Sequence, residues 1–237
     1  MAKKLAYKRI LLKLSGEVME GKKGSGIDFK TVEALCKEIE AVKKLGVEIA
    51  IVVGGGNFWR YRDFKDAGLD RVHSDYIGMM ATIMNSVALQ DIFKKNGVDA
   101  IALTSFPIPA TEAYQQDKAR KYLKEKKVVI CAGGTGNPFF TTDTASSLRA
   151  LELECDVFMK ATKVDYVYDK DPMKYKDAKK FTKMSYVEVL KRGLEVIDLA
   201  AIALCRDNKL PVMVFNLTKK GNIAKVVKGE KVGSIIS

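Results

Sequence analysis

Short apolar runs of the kind that form buried strands recur along this chain, separated by segments whose apolar residues return every three or four positions. The runs are KRILLKL (Lys8 to Leu14), VEIAIVV (Val47 to Val53), VDAIAL (Val98 to Leu103), VVICA (Val128 to Ala132), VFMKA (Val157 to Ala161) and PVMVF (Pro211 to Phe215). Between the first two, Val32, Leu35, Cys36, Ile39 and Val42 fall at helical spacing before Gly46. A longer helix is predicted from Ser74 to Lys95, with Ile77, Met80, Met84, Val87 and Ile92 near one face. Others are expected over Thr144 to Glu154, Tyr186 to Arg192 and Leu199 to Asn208. Strands and helices that alternate in this way form right-handed crossovers, so the expectation is an α/β fold whose mainly parallel sheet is covered on both faces. There is no internal repeat or low-complexity linker. The long polar stretch from Lys163 to Phe181 suggests a second lobe attached without a clean boundary.

With 237 residues, 47% of them hydrophobic, the chain can fill one large α/β domain or two small ones. No apolar run approaches the roughly 18 residues of a membrane span. The N-terminal segment carries lysines inside its hydrophobic part and no small-residue cleavage site, so a cytoplasmic protein is expected, with no membrane partner. Cys36, Cys131, Cys155 and Cys205 lie far apart in apolar or helical contexts and are read as buried thiols. The one histidine, His73, leaves no histidine-rich zinc site or paired-histidine mechanism, and its position suits a helix start. The net charge of +12, from 41 Lys and Arg against 29 Asp and Glu, favours polyanionic partners. Its densest run, DKARKYLKEKK (Asp117 to Lys127), mixes signs and carries one aromatic, which suits a solvated helix face better than a single-strand groove. Nucleic acid is therefore not expected as the main partner. The methionines of the long helix suit core or a subunit interface.

Glycines gather where the strands end. KLSGE follows the first run, GGGN the second and GGTGNPFFTTD the fourth. Three consecutive glycines are costly in ordering entropy, so something must approach the backbone more closely than a Cβ allows, and phosphate is the first suspect. Ligands of open α/β sheets collect beyond the carboxyl ends of the strands, where exposed amides and helix starts favour anions. GEVMEGKK (Gly16 to Lys23) has P-loop spacing but ends in Lys23 where a hydroxyl belongs, and neither GGGNFW nor GTGNPF completes a dinucleotide fingerprint. The remaining inventory of lysines, aspartates and amides suits phosphoryl transfer, which needs charge neutralisation and in-line positioning more than a histidine. Lys13 and Lys160, each at a strand end, are the candidate clamps, and Gly16 lets a donor approach its loop. Asp143 either orients both lysines, helps hold a metal, or caps the helix that follows it.

KRILLKLSGE, GGGN, DYIGMMATIMN, GGTGNPFFTTD, MKATKVDYVYDKDP and DLAAIALCRDNKLPVMVFN, in this order, resemble the bacterial uridylate (UMP) kinases within the amino acid kinase family. The resemblance covers almost the whole chain. It implies a three-layer α/β/α sandwich over residues 1–237, with an acceptor-nucleotide lobe at roughly 1–155 and an ATP-binding lobe at roughly 156–237. It also implies a homohexamer that transfers the γ-phosphoryl of ATP to UMP in pyrimidine nucleotide biosynthesis, with GTP as activator, UTP as inhibitor and Mg2+ held mainly by the ATP phosphates. Carried over by motif, Lys13, Leu14, Ser15 and Gly16 line the ATP phosphates with help from Gly56 and Arg60, while Thr162, Tyr168 and Asp171 hold the adenosine. Gly55 and Asp75 contact UMP, and Thr135, Gly136, Asn137, Pro138, Phe139, Phe140, Thr141 and Thr142 wrap it. The segment Gly21, Lys22, Lys23, Gly24, Ser25 and Gly26 matches the place where the family responds to GTP. The chain departs from the pattern at Tyr61, where a glycine commonly follows the arginine, and matches weakly from Phe106 to Lys126. A family member acting on a carboxylate or carbamate would share KLSG and GGGN without TGNPFFTTD. A basic nucleic-acid-binding protein is the more distant alternative.

Overall fold

The structure, a computed structural model, describes residues 5–63, 68–194 and 196–237. Readings that touch residues 1–4, at the N-terminal segment, and 64–67, after the GGGN loop, lie outside the described residues. In chain order the elements are β1 (Arg9–Leu14), α1 (Glu17–Glu20), α2 (Phe29–Lys43), β2 (Glu48–Val53), α3 (Arg71–Lys95), β3 (Ala100–Thr104), β4 (Glu112–Ala113), α4 (Gln116–Lys124), β5 (Val128–Ala132), α5 (Thr142–Glu152), β6 (Val157–Thr162) and β7 (Val167–Tyr168). They continue with β8 (Lys180–Phe181), β9 (Lys183–Met184), α6 (Tyr186–Lys191), α7 (Leu199–Asp207), β10 (Val212–Asn216), α8 (Asn222–Val227) and β11 (Ser234–Ile236).

Among the described residues nine strands form one sheet in the order β4-β3-β5-β2-β1-β6-β10-β11-β9, with β7 and β8 paired separately. Every pairing in the large sheet is parallel except β10 with β11. Strand alternation divides the core. Ile10, Leu12 and Leu14 of β1 pack with apolar residues of α2, α3 and α8. Leu11 packs on the opposite side with Ala119, Ala150, Val189 and Ile202 from α4 to α7. The result is the expected three-layer sandwich. Lys13 shares the parity of Leu11, and Lys160 that of Phe158, so both lysines belong to the face covered by α5.

Local signals explain most boundaries. Asp28 caps α2 by accepting from Thr31 N–H at 3.0 Å, and Gly46 ends the segment with φ 92°. Asp70 caps α3, so the helix begins at Arg71 and His73 sits in its first turn, at the helix start as the sequence indicates. All four cysteines are buried free thiols, as expected. No described helix is long and apolar enough to cross a membrane.

The chain runs from β1 outward through β2, β3, β4 and β5 on one side, then returns so that β6, β10, β11 and β9 build the other. The order thus reverses at β1, which makes the carboxyl ends of β1 and its two neighbours the expected ligand crevice.

Candidate active site

Lys13 and Lys160 are register partners on the adjacent parallel strands β1 and β6. Two like charges placed side by side repel, so the arrangement needs a compensating anion. Asp143, in the first turn of α5, supplies it. Its Oδ2 accepts from Lys160 Nζ at 2.5 Å, and its Oδ1 lies 3.1 Å from Lys13 Nζ. The second contact is an ion pair whose angle leaves Oδ1 without a well-directed hydrogen bond. Lys160 also donates to the Val196 carbonyl at 2.5 Å. Burial alone would raise the Asp143 carboxyl, but the two ammonium groups outweigh it and hold the group below its ordinary range. Burial pulls the Lys160 ammonium below its ordinary value, against the opposing pull of Asp143.

The capping reading of Asp143 does not survive. The cap of α5 is Thr141, whose hydroxyl accepts from Asp143 N–H at 3.0 Å and Thr144 N–H at 3.4 Å. Thr141 in turn donates to Asp198, which also accepts from Thr144 Oγ1 and caps α7. The Asp143 carboxylate is thereby free to face the lysines.

The glycine loops do meet at this edge, and the protein itself packs closely on two of the glycines. A Cβ on Gly16 would stand 2.6 Å from Gly56 N and from Asn57 Oδ1, and one on Gly55 would stand 2.7 Å from the Gly78 carbonyl of α3. A reciprocal pair of buried amides locks the contact. Asn57 Nδ2 donates to Asn85 Oδ1 at 2.9 Å, and Asn85 Nδ2 donates to Asn57 Oδ1 at 2.7 Å and to the Gly54 carbonyl at 2.8 Å. Asn57 also donates to the Gly26 carbonyl at 2.7 Å, which ties the end of the Gly21–Gly26 segment to the site.

Three cavities join at the lysines. The first, about 550 Å3, is lined by Lys13, Gly16, Gly55, Asp75, Thr135 and Thr142 among others. The second, about 660 Å3, lies between α1, α2 and the end of β6, and contains both Lys13 and Lys160. The third, about 520 Å3, gathers Lys160, Thr162, Tyr168 and Asp171. Gly56, Arg60, Asn137, Phe140 and Thr141 also line the first cavity with Ser15, which borders the second as well. The Leu14 side chain is fully buried in the core, and its carbonyl accepts from Gly54 N–H at 2.9 Å. Gly136, Pro138 and Phe139 belong to the loop around the first cavity but not to its lining. Phe139 instead points to solvent, with φ 71° and its N–H donating to Asp75 Oδ2 at 2.7 Å. Gly21 lines the second cavity, whereas Lys22, Lys23, Gly24 and Ser25 are exposed.

Sequence alone assigns no role to several residues at the site. Trp59 and Arg71 line the first cavity, Thr82 holds Gly133 N–H at 2.9 Å, and Glu17 bridges Arg60 at 3.0 Å and Lys163 at 2.7 Å. Glu17, Thr82 and Asn85 lie within KRILLKLSGE and DYIGMMATIMN, whereas Trp59 and Arg71 lie outside the motifs that carry the resemblance.

The amino acid kinase family model matches residues 8–216. The chain belongs to the amino acid kinase family. A solved UMP kinase from Bacillus anthracis is 37% identical to this chain, with a TM-score of 0.94 over 98% of this chain and 96% of that one. The UMP kinase of Ureaplasma parvum is 33% identical, with a TM-score of 0.91 over 97% and 98%. The uridylate kinase of Archaeoglobus fulgidus is 30% identical, with a TM-score of 0.75 over 96% and 99%.

Proposed function

We propose that this enzyme transfers the γ-phosphoryl group of ATP to UMP, giving UDP and ADP. The observation that carries the reading is the Lys13–Asp143–Lys160 constellation at the junction of the cavities. The acceptor phosphate occupies the first cavity and the adenosine of the donor the third. An acceptor phosphate oxygen bonds to the γ-phosphorus as the bond to the ADP oxygen breaks. A phosphate monoester with a second pKa of about 6 is already a dianion at neutral pH, so no general base is needed. This accords with an Asp143 that is committed to two lysines. Lys13 and Lys160 neutralise charge on the transferring group, and Asp143 keeps their ammonium groups together.

Among the described residues no trio of His, Cys, Asp or Glu is arranged to hold a metal, and both Asp143 oxygens face lysines. Mg2+ fits this site as an ion carried on the donor phosphates, where it would neutralise their charge.

The lobe reading follows the cavities: residues lining the first run from Lys13 to Thr142, and those lining the third from Lys160 to Val214. Activation by GTP through the Gly21–Gly26 segment is supported by the Asn57 bridge to Gly26, and inhibition by UTP is part of the same proposal. Tyr76, Met80 and Met84 form an exposed stripe on α3 that suits subunit contact in a homohexamer. The setting is pyrimidine nucleotide biosynthesis in the cytoplasm. ADP release measured with UMP, CMP, aspartate, acetylglutamate and carbamate tests the acceptor, with turnover on UMP far above the rest as the expected result. Preference for a carboxylate or carbamate would overturn it.

A further inference from the structure

Beneath the acceptor loop lies a part-buried polar chain, centred on a buried arginine, that phosphoryl transfer itself does not use. Arg149 of α5 is only 6% exposed. Its Nη1 donates to Glu152 Oε2 at 2.6 Å, its Nη2 donates to Ser105 Oγ at 3.0 Å, and its guanidinium lies 3.8 Å from the centre of the Tyr114 ring. Tyr114 closes the circuit by donating to Glu152 Oε2 at 2.8 Å. Ser105 Oγ donates to the Gly134 carbonyl at 2.9 Å, closer than the Ala132 carbonyl at 3.3 Å, and Gly134 leads into the loop expected to wrap the acceptor.

A buried guanidinium costs desolvation, and well-packed apolar residues often serve stability as well or better. What this chain of contacts supplies is aim. The Gly134–Thr135 peptide is trans, so its carbonyl and its N–H point in opposite directions. With the carbonyl held on Ser105, the Thr135 N–H is turned away from Ser105, on the side where Gly134 and Thr135 line the first cavity. Among the described residues no protein acceptor takes it. The loop cannot easily settle elsewhere. Gly133, Gly134 and Gly136 hold positive φ, and a Cβ on Gly136 would stand 3.2 Å from that of Ser105.

We infer that Ser105, backed by Arg149 and Tyr114, is a positioning residue that sets the acceptor loop by holding the Gly134 carbonyl. The inference rests on the first cavity being the acceptor site. It also gives a physical role to part of the weakly matching stretch from Phe106 to Lys126, since Tyr114 comes from it.

Ser105→Ala removes the hydroxyl and adds no bulk. Measured by ADP release on the full chain, it should raise the KM for UMP about tenfold, the scale of one lost buried hydrogen bond, while kcat stays within about twofold and the KM for ATP is unchanged. Arg149→Met, which retains an apolar stem against Tyr114, should move the same constant in the same direction by less. A purely structural role would lower the thermal midpoint and leave the ratio of the two KM values alone. An unchanged KM for UMP in Ser105→Ala, or parallel rises for both substrates, overturns the inference. If the acceptor panel picks another acceptor, the UMP reading fails by itself, and the same comparison made with that acceptor decides the role of Ser105.

Discussion

The two halves of the site are built from opposite materials. At the transfer centre, charged groups stand on regular elements: two lysines at strand ends and an aspartate in the first turn of a helix, all largely buried and neutralised by one another. Around the first cavity, the proposed acceptor site, the backbone is irregular and glycine-rich, and it is held mainly by the neutral side chains of Asn57, Asn85, Thr82 and Ser105, with Asp75 a charged exception. The difference follows from the task. Charge stabilisation of a transition state needs groups that do not move as charge develops, and sheet register supplies that rigidity. Recognition of a nucleotide needs many backbone donors at once, which regular structure has already consumed.

If that division is right, the largest losses of rate come from the charged half. Lys13→Ala should lower kcat by about 10²–10³, the scale of removing one preorganised donor, with UMP binding retained by calorimetry. Near-normal turnover would remove Lys13 from the chemistry. Asp143→Asn should follow at about 10–10², because its amide no longer holds the two ammonium groups together. Circular dichroism should show the fold retained, since Thr141 and not Asp143 caps α5.

The pH profile sharpens the same point. Lys160 must be charged to act, and burial lowers its pKa from the ordinary 10.5, so turnover should fall on its alkaline side below that value. In Asp143→Asn the limb should move lower still, because the anion that favours the charged form is gone. Stability should run the other way. The unfolded chain binds the Lys160 proton more tightly, so this group gains stability as pH rises from its folded value to 10.5. Asp143, with its pKa depressed from 3.8, contributes stability that is present above that value and is lost as pH falls through the folded value. A kcat profile unchanged between wild type and Asp143→Asn would break the link.

The charged half was the more legible in the sequence. Lys13 and Lys160 end apolar runs whose period fixed their strands, and Asp143 sits in the most specific motif of the chain. β4, β9 and β11 escaped because they have only two or three residues each, too few to show a period, and α1 and α8 are nearly as short. Asn57 was visible as the end of GGGN, but its pairing with Asn85, 28 residues on, is a tertiary fact. The same holds for Ser105 and Arg149, separated by 44 positions. The glycines were legible as close approaches, but the sequence could not tell that Gly16 packs against Gly56 and Asn57, or Gly55 against the Gly78 carbonyl of α3. Thr141 and Asp143 both suit a helix start, and only the hydroxyl geometry assigns the cap.

On the neutral half, Asn85→Ala should leave the Gly54 carbonyl and the Asn57 amide short of partners, costing about 1–3 kcal/mol of stability. Because GGGN borders the transfer centre, kcat and the KM for UMP should both suffer, by about fivefold to tenfold, as part of the loss of three buried hydrogen bonds reaches the site. A thermal melt with unchanged kinetics would reduce Asn85 to a core residue.

The smallest effect belongs to Tyr61, at the departure from the family pattern. Arg71 stacks on its ring at 4.6 Å, donates through Nε to both Asp75 oxygens at 2.9 Å, and so steadies the carboxylate that holds the Phe139 N–H. An exposed cation–π contact is worth about 0.5–1 kcal/mol, so Tyr61→Gly should raise the KM for UMP about twofold to fivefold with kcat unchanged. Tyr61→Phe keeps the ring and should match the wild type. If glycine instead lowers kcat by an order of magnitude, the tyrosine reaches the transfer centre, and the division between a charged half built on regular elements and a mainly neutral half built on loops is drawn in the wrong place.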